Sequence, residues 1–506
     1  MSAKSMREAF GQILPNFSMD PFSGILQPHI DEVLREQGLS KFRKGTILRP
    51  KLLMWLILML TIRRDLCYNK ALSWMVSGFR WIKKILPAKS QILKDGAISK
   101  ARRKLGVEPL RALFYKLKAS FASLPKDFYE WTSVTLDGTT ATMPDTKENN
   151  AHFKKPSSRK GSSGFPQIRI MSLIINPLRI ILDIEWAPYS GKKTGERTLM
   201  MKILERLVGG GFLFLLDAGL YSASALWQIK QKGQDFIAKA PISVKLKAIK
   251  YLPDGSYLAI LTTKILDLEA PRRCDGKKSW KTVSITVRVI QFEIPGFRPV
   301  RLVSTILYET ISAREIALHY HNRWEIEITY DEIKTHQCAT LRGQLATTFR
   351  SKRPDLVQQE LYATIIMYNV VRLLIWRAAK KHAKEPHLIS FLDTLQHIID
   401  AAPIMTAQSQ EERQDGFSYL LELIADSEIE RPRRPRLKRV VKVKMSKFRR
   451  KNKQDKSQKR VLSQELTILP PPLAKLSLKT QPESISMQTD SPGRVKGKII
   501  PLKKAA

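Results

Sequence analysis

Cysteine is scarce in this sequence. The 506 residues contain three, Cys67, Cys274 and Cys338, and these are far apart along the chain. An odd and sparse set argues against a disulfide framework and against a zinc site. The cysteine content therefore fits a protein of a reducing compartment.

Long hydrophobic runs are also missing. The longest nearly continuous one covers residues 52–62 and ends at Arg63. A helix of that length cannot cross a bilayer core of ~30 Å. The N-terminal segment MSAKSMREAF lacks the apolar core of a signal peptide. The sequence therefore predicts a soluble, cytoplasmic protein with no membrane partner.

Negative charge is the third deficit. The chain has 46 acidic residues against 87 lysines and arginines, a net charge of +41, while a hydrophobic content of 43% is enough for a folded core. Such an excess predicts a polyanionic partner, most simply nucleic acid. One basic tail on an ordinary protein would not explain it, because residues 1–125 hold 23 Lys/Arg against 8 acids and residues 431–506 hold 23 against 4.

Composition and pattern divide the chain into three predicted domains. The length alone suggests about two to four. Residues 1–125 are predicted to be a helical DNA-binding domain, and residues 126–430 an α/β domain. Residues 431–506 are rich in Lys, Arg, Pro and Ser. Their apolar content is too low for a core, so we expect a disordered basic tail with salt-sensitive, non-specific affinity for DNA.

The N-terminal domain contains a candidate DNA-binding unit. Residues 95–114 (DGAISKARRKLGVEPLRALF) have the pattern of a helix, a turn at Gly106 and a second helix. This arrangement resembles a helix–turn–helix unit. A basic, solvated helix pair is an equally open alternative, because positive charge shows affinity for phosphate and not groove reading. The candidate DNA-binding residues on the first helix are Lys100, Arg102, Arg103 and Lys104.

The middle of the chain alternates between strand and helix patterns. The predicted elements are strands over 132–136, 167–175 and 179–186, a helix over 196–208, a strand over 212–216, a helix over 223–232 and a strand over 236–238. This order is typical of a mixed α/β sheet whose first strands form an antiparallel meander. Further β-rich runs with turn residues between them predict an all-β insertion at about 240–310. Helical patterns return over 311–425.

Two of the predicted strands are followed directly by an aspartate. Asp137 comes after VTL and Asp217 after FLFLL. Ligands and chemistry collect at the carboxyl ends of strands in such sheets, so neighbouring strands would bring the two carboxylates together. Two ionised carboxylates share a small volume only with a cation between them, and Mg²⁺ prefers such oxygen ligands. The alternative is that each aspartate is a cap or turn residue.

A third acidic residue lies in a helical motif, YHNRWEIEITYDEIK over 320–334. Its Tyr320, Arg323, Glu327 and Lys334 lie at offsets of 0, 3, 7 and 14 residues. On a helix of ~100° per residue they fall within ~60° of one another. One acid between two cations on a helix face suits a metal ligand beside phosphate-binding groups. The alternative is a solvated helix with intrahelical ion pairs.

These motifs resemble a known family. The spacing Tyr-x2-Arg-x3-Glu-x6-Lys is the hallmark of DDE transposases of the insertion-sequence-four family, and the segment at 320–334 matches it without a gap. Asp137 lies in DGTT and Asp217 in FLFLLDAGLYS, which resemble the family's blocks around its two aspartates. The resemblance covers roughly residues 30–380 and leaves the basic tail outside.

The resemblance implies a ribonuclease H-like catalytic core. Three catalytic acids would bind two Mg²⁺ (or Mn²⁺) ions: Asp137, Asp217 and Glu327. One ion activates the attacking water or 3′-hydroxyl and the other stabilises the leaving oxygen. The implied reaction is phosphodiester cleavage and strand transfer at the terminal inverted repeats of an insertion sequence. Three residues would position phosphates near the cut: Tyr320, Arg323 and Lys334.

The implied partners are double-stranded DNA, as transposon ends and as target, and a second copy of the chain in a synaptic homodimer at the nucleoid. Two features depart from the family pattern. Ala218 follows the second aspartate, where the family often has arginine, and the last predicted strand of the insertion contains no tryptophan, so that Trp280 is the nearest one. A catalytically inactive, transposase-derived DNA-binding protein is the alternative function, and a structure-selective nuclease with the same core is a third.

Overall fold

A computed structural model describes most of the chain. The described residues are 17–41, 48–83, 95–119, 124–158, 161–162, 164–267, 279–295, 297–338, 347–429, 440–441, 449–450 and 465–471. Cys67 and Cys338 are free thiols. Cys274 and most of the predicted disordered tail, 431–506, lie outside the described residues.

The N-terminal part is helical, as predicted. Its helices are α1 Ser23–Glu36, α2 Pro50–Ile62, α3 Tyr68–Met75, α4 Ser77–Trp81, α5 Asp95–Leu105 and α6 Glu108–Ala119. Proline suits the first turn of α2, because the N–H groups of a helix's first turn have no acceptor within the helix and proline lacks this N–H. Gly106 has a φ of +75°, which glycine adopts without strain and which turns the chain from α5 into α6. The predicted helix, turn and helix are confirmed.

A mixed sheet organises the middle of the chain. Among the described residues it has ten strands, in the order β5-β4-β1-β6-β7-β11-β10-β9-β8, with β14 paired to β10. The strands are β1 Thr132–Thr142, β4 Gln167–Ile175, β5 Ile180–Pro188, β6 Phe212–Leu216, β7 Asp235–Lys239, β8 Ala248–Tyr251, β9 Tyr257–Leu266, β10 Trp280–Glu293, β11 Val300–Ser304 and β14 Thr467–Ile468. Two short pairs lie outside this sheet: β2 Ser157–Ser158 with β3 Gly161–Ser162, and β12 Val440–Val441 with β13 Arg449–Arg450. The first three, β1, β4 and β5, are antiparallel neighbours, whereas β6 runs parallel to β1 and β7 parallel to β6. The predicted α/β meander is confirmed.

The sheet is covered on both faces. The alternation of side chains along β6 sends Phe212, Phe214 and Leu216 into one core, and Leu213 and Leu215 into another. The first core contains α7 (Lys147–Phe153), α8 (Glu196–Glu205) and α9 (Ala223–Gln231), and the second contains α10 (Ala313–His319). The all-apolar run FLFLL is therefore a strand buried on both faces, as its composition predicted.

Strand β1 is longer than predicted, because it does not end at Asp137. It pairs with β6 as far as Thr135, opposite Leu215, and with β4 as far as Thr142. The residues after Gly138 (TTAT) are mostly β-branched and favour extended backbone, and β4 supplies their partner. Beyond Thr135, no described strand pairs with the β1 edge that faces β6. This open edge is where Asp137 lies.

The β-rich insertion continues the same sheet. Strand β11 pairs antiparallel with β7, and β10, β9 and β8 follow outwards. Arg288 of β10 is fully buried and donates hydrogen bonds to Ser256 and to the backbone oxygens of Tyr308 and Ile311. These bonds fix the insertion against the segment that leads into α10.

The segment after the insertion is helical but not a regular α-helix. A 3₁₀ turn over Tyr320–Trp324 leads into α11 (Glu325–Asp331), and a π-helical turn follows over Glu332–Gln337. A capping box of Ser312 and Glu315 starts α10 before it. We call residues 320–337 the signature segment. Its helix type changes from 3₁₀ to α and then to π. The four residues that the sequence predicted on one face of a regular helix over 320–334 therefore share that face only approximately.

One long helix joins the two ends of the chain. Helix α12, Pro354–Lys381, packs on β5 and on the N-terminal helices α2 and α6, and α13 (Phe391–Ala407) and α14 (Gln410–Asp426) pack around it. Among the described residues it is the one helix long and apolar enough to span a membrane, but 89% of its most apolar window is buried inside the protein. Its apolar surface is thus accounted for as a core.

Part of the predicted tail is ordered, so the prediction of disorder over 431–506 is wrong for 465–471. Strand β14 pairs with Phe292 and Glu293 of β10, and Leu466 is 2% exposed. The Leu466 carbonyl accepts a hydrogen bond of 2.6 Å from Arg314. A short apolar run, LTI, is enough to cover the sheet edge there.

Candidate active site

Asp137 lies on β1, and Asp217 directly follows β6, the parallel neighbour of β1. The last pair of this register is Thr135 with Leu215, and each aspartate comes two residues after its member of that pair. Both also have the parity of Leu213 and Leu215, whose side chains face the core that contains α10. The convergence expected from the sequence is therefore a consequence of the parallel pairing.

A backbone N–H group that follows closely in the chain donates a hydrogen bond to each aspartate side chain. Asp137 accepts a hydrogen bond of 2.7 Å from the Gly138 N–H, and Asp217 accepts one of 2.9 Å from the Leu220 N–H. Burial, together with the nearby carboxylates of Asp217 and Glu196, raises the pKa of Asp137 to about 6, although the Gly138 hydrogen bond and the charge of Arg323 oppose this. Negative charge at this edge of the sheet is thus incompletely balanced.

Glu327 lies on α11 with Arg323 one turn before it. The Arg323 guanidinium donates a hydrogen bond of 3.0 Å to the Glu327 carboxylate. The Arg323 side chain is 13% exposed, and that of Glu327 is 41% exposed. The charge of Arg323 also lowers the pKa of Asp137, so the same guanidinium acts on both of these acids.

The other residues of the signature segment attach it to the strands. Tyr320 is buried, and its hydroxyl donates to the Leu216 carbonyl at 3.0 Å. The Tyr330 hydroxyl donates to the Asp137 carbonyl at 2.7 Å, and Lys334 donates to the Thr139 hydroxyl. Of the predicted set, Tyr320 therefore contacts the end of β6 and Lys334 contacts β1 two residues beyond Asp137, while Arg323 contacts Glu327.

A buried cluster of ion pairs holds the signature segment in place around Glu332. Glu332 lies between Arg179, at 2.9 Å, and Arg372, and it accepts a hydrogen bond of 2.8 Å from Tyr368. Arg179 also bonds Glu325 at 2.6 Å. Both ends of α11, the helix that carries Glu327, are thus tied to the body of the protein.

The acids fit a divalent cation in part. Two carboxylates with incompletely balanced charge are the oxygen donors that such an ion prefers. Within the described ranges, however, no group of three His, Cys, Asp or Glu side chains is close enough to hold a metal. The pair Asp137 and Asp217 is in place, while Glu327 is held by Arg323.

The four predicted DNA-binding residues of α5 divide into two sets. Lys100, Arg103 and Lys104 are exposed. Arg102 is 5% exposed and donates to Gln359 at 3.2 Å and to the Tyr68 hydroxyl at 2.7 Å. Arg102 therefore joins α5 to α12 inside the protein, and three cations remain at the surface.

Sequence reasoning overlooked two residues of this region. Trp324 is 45% exposed, and the Arg323 guanidinium lies 5.6 Å from its ring centre. Glu196, at the start of α8, lies against Gly138. Glycine inside a strand often marks the close approach of another group, so Gly138 was a readable signal for the second. Trp280, the tryptophan of the insertion, is 61% exposed on β10.

Two family models and known transposases match parts of this chain. Residues 133–370 match the family model of the transposase DDE domain, and residues 23–115 match that of the insertion element 4 transposase N-terminal region. The chain is 26% identical over 374 residues to the transposase InsG for insertion sequence element IS4 of Escherichia coli (strain K12), with 72% of this chain and 78% of that protein covered. A cryo-EM structure of a piggyBac transposase synaptic complex with hairpin DNA is more distant, at 11% identity and a TM-score of 0.39 over 83% of this chain and 85% of that one.

A mixed sheet with paired aspartates at one edge, together with these two family models, defines a DDE transposase. The chain belongs to the IS4 family of these enzymes. It is therefore a DNA transposase, of a class that cleaves DNA and transfers its strands in a metal-dependent reaction.

Proposed function

We propose that this protein cleaves and rejoins DNA at the terminal inverted repeats of its own insertion sequence, with Asp137, Asp217 and Glu327 as the catalytic acids. The parallel pairing of β1, which carries Asp137, with β6, which Asp217 directly follows, carries the proposal. The strand order β5-β4-β1-β6-β7, three antiparallel strands followed by two parallel ones, supports a ribonuclease H-like core.

The acids would hold two Mg²⁺ or Mn²⁺ ions. Bound divalent ions activate a water or 3′-hydroxyl and stabilise the leaving oxygen. Glu327 would join the two aspartates by releasing Arg323, to which it is held by a single hydrogen bond of 3.0 Å. Arg323 would then be available for a DNA phosphate, which a guanidinium can bind with two hydrogen bonds.

Tyr320 and Lys334 would complete the phosphate-binding set. Lys334 lies beside Thr139, two residues beyond Asp137, and an ammonium there is a mobile point charge next to the scissile group. Tyr320 is 8% exposed and bonds the Leu216 carbonyl. In the free protein its contribution is to place the signature segment against β6.

The N-terminal helices supply a candidate DNA-binding surface. Lys100, Arg103 and Lys104 project from α5, the first helix of the helix–turn–helix-like pair. We propose that they contact phosphates of the transposon end and that the basic residues of 431–506 add non-specific affinity. The boundaries at residues 125 and 430 are part of the same proposal.

The partners would be transposon-end DNA, target DNA and a second copy of the chain. A synaptic homodimer brings two ends together, each with its own set of acids. We place the enzyme in the cytoplasm, at the nucleoid, where its substrate is.

The test is cleavage of double-stranded DNA that carries the end sequences. Asp137→Asn, Asp217→Asn and Glu327→Gln should each abolish Mg²⁺-dependent nicking and joining while leaving end binding intact. Asp331→Asn is the matched control, since Asp331 is an exposed acid on the same helix as Glu327 and bonds only Thr335 among the contacts of the described residues. If the three variants cleave as well as Asp331→Asn, the assignment of the acids is wrong. End binding without cleavage by the wild-type protein would instead favour an inactive DNA-binding descendant.

A further inference from the structure

Tyr330 joins the helix of Glu327 to the strand of Asp137. It lies on α11, three residues after Glu327, and its hydroxyl donates a hydrogen bond of 2.7 Å to the main-chain carbonyl of Asp137. Residues three apart on a helix are neighbours on its surface. One turn of α11 therefore carries both a proposed catalytic acid and a bond to the backbone of a second.

The surroundings of Tyr330 keep its hydroxyl in this contact. Burial raises the pKa of the hydroxyl above its ordinary range, although hydrogen bonding with Ser172 opposes this, so the hydroxyl keeps its proton and donates. Ser172 is the residue of β4 that pairs with Asp137, and it is 1% exposed. Tyr330 thus lies against the β1–β4 pair at the level of Asp137.

The Tyr330 ring makes a second contact beside the site. The Lys334 ammonium lies 5.9 Å from the centre of the ring, and it donates a hydrogen bond to the Thr139 hydroxyl. A cation over the face of a tyrosine ring is attracted to it. The hydroxyl and the ring therefore hold the signature segment at two residues of β1 that have the same parity, Asp137 and Thr139.

The two ends of α11 are held by contacts outside β1. The ion pairs of Glu325 and Glu332 attach these ends to arginines that lie elsewhere in the fold. Among the described residues, the Tyr330 hydroxyl makes the one hydrogen bond between α11 and β1. The separation of Glu327 from Asp137 therefore depends on this hydroxyl.

We infer that Tyr330 is a positioning residue for the metal-dependent reaction, because its hydroxyl fixes α11 on the backbone of Asp137 and so sets the distance from which Glu327 joins the two aspartates. The inference rests on the proposed role of the three acids. Misplacement of reacting groups by about 1 Å can cost roughly 100-fold in rate. Loss of an outer hydrogen bond at a metal site typically costs about 10- to 100-fold in metal affinity or activity.

The experiment uses Tyr330→Phe, which removes the hydroxyl and keeps the ring that faces Lys334. The full-length protein is titrated with Mn²⁺ without DNA, and free Mn²⁺ is followed by electron paramagnetic resonance. Cleavage of end DNA is then measured over a range of Mn²⁺ concentrations. We expect the affinity for Mn²⁺ to fall about tenfold, cleavage to require correspondingly more Mn²⁺, and end binding to be unchanged.

Tyr368→Phe is the matched control. Its hydroxyl donates a hydrogen bond of 2.8 Å to Glu332, so this variant also removes one tyrosine hydroxyl from the signature segment, but away from the three acids. It should lower the free energy of unfolding in urea at least as much as Tyr330→Phe does, and it should bind Mn²⁺ as the wild type does.

The affinity for Mn²⁺ decides the outcome. If Tyr330→Phe keeps the wild-type affinity, or if Tyr368→Phe loses as much, the inference about Tyr330 is overturned and the proposed function stands. If Asp137→Asn and Asp217→Asn both bind Mn²⁺ and cleave like wild type, the proposed function itself fails.

Discussion

Glu327 and Glu332 are five residues apart in the signature segment, yet their surroundings are opposite. Glu332 is buried and contacts two arginines and a tyrosine hydroxyl. Glu327 is 41% exposed on its side chain and contacts Arg323. One carboxylate is fully committed to the fold, and the other is held by a contact that solvent reaches.

The pKa values of Glu332 and Asp137 are shifted in opposite directions. Burial would raise the pKa of Glu332, but the charges of Arg372 and Arg179 outweigh it and hold that pKa below its ordinary value. Burial also raises the pKa of Asp137, and there the neighbouring carboxylate of Asp217 adds to the effect. Glu332 is thus neutralised by two arginines, whereas burial and a second carboxylate both act against the ionised form of Asp137. A metal ion can supply the positive charge that Asp137 lacks.

The largest effect should follow loss of charge on the exposed acid. Glu327→Gln should lower the rate of end cleavage roughly 10³-fold, since a carboxylate at a metal site contributes several kcal/mol to transition-state stabilisation. Because the side chain is 41% exposed, the free energy of unfolding in urea should change by less than about 1 kcal/mol. Both quantities can be measured on one preparation. A large loss of stability with cleavage retained would reverse the comparison.

The opposite result is expected for the buried acid. Glu332→Gln leaves the buried Arg372 without its counter-ion and Arg179 with Glu325 alone, which should lower the free energy of unfolding by about 3 kcal/mol. Urea denaturation followed by tryptophan fluorescence measures this. The control is Glu325→Gln, which loses the contact with Arg179 alone and should cost less. Equal losses in the two variants would show that the cluster is not centred on Glu332.

The third effect is a gain of stability. In metal-free protein the folded state binds the Asp137 proton more tightly than the unfolded state, since its pKa rises from 3.8 to about 6. The wild type therefore loses stability as pH increases from 4 to 6, whereas Asp137→Asn does not. We expect the variant to be more stable by roughly 2 kcal/mol at pH 7 and by little at pH 4, because one pKa unit corresponds to about 1.4 kcal/mol and Asn weakens the Gly138 hydrogen bond. Urea titrations at both pH values with a chelator provide the measurement, and a variant less stable at pH 7 would contradict the prediction.

The sequence predicted those parts of this comparison that depend on local pattern. The apolar run before Asp217 and the β-rich run before Asp137 were enough to predict the strands that lead into both aspartates. The residues after Asp137 were misjudged, because Asp-Gly is a common turn and nothing local shows that β4 pairs with the chain as far as Thr142.

The sequence could not predict contacts between residues that are far apart along the chain. In the sequence Arg102 stands among other cations and was predicted to contact DNA. Only the fold shows that it is buried and bonded to Gln359, which is 257 residues away. The burial of Glu332 likewise depends on Arg179 and Arg372. The helical period of 3.6 residues predicted which side chains of the signature segment share a face. It could not show which acids of that segment are neutralised by arginines from elsewhere in the chain.

An exposed ion pair provides the smallest effect and tests whether burial explains the rest. Glu108 and Arg111 lie at i and i+3 on α6, with side chains 58% and 52% exposed at 2.9 Å. Water screens such a pair, so Glu108→Gln should change the free energy of unfolding by about 0.3 kcal/mol, and less at high salt. If this variant costs as much as Glu332→Gln, charge pairing alone would account for stability and the contrast between buried and open acids would lose its physical basis. A small, salt-sensitive value would assign the cost at Glu332 to its removal from water, which is the property that Glu327 lacks.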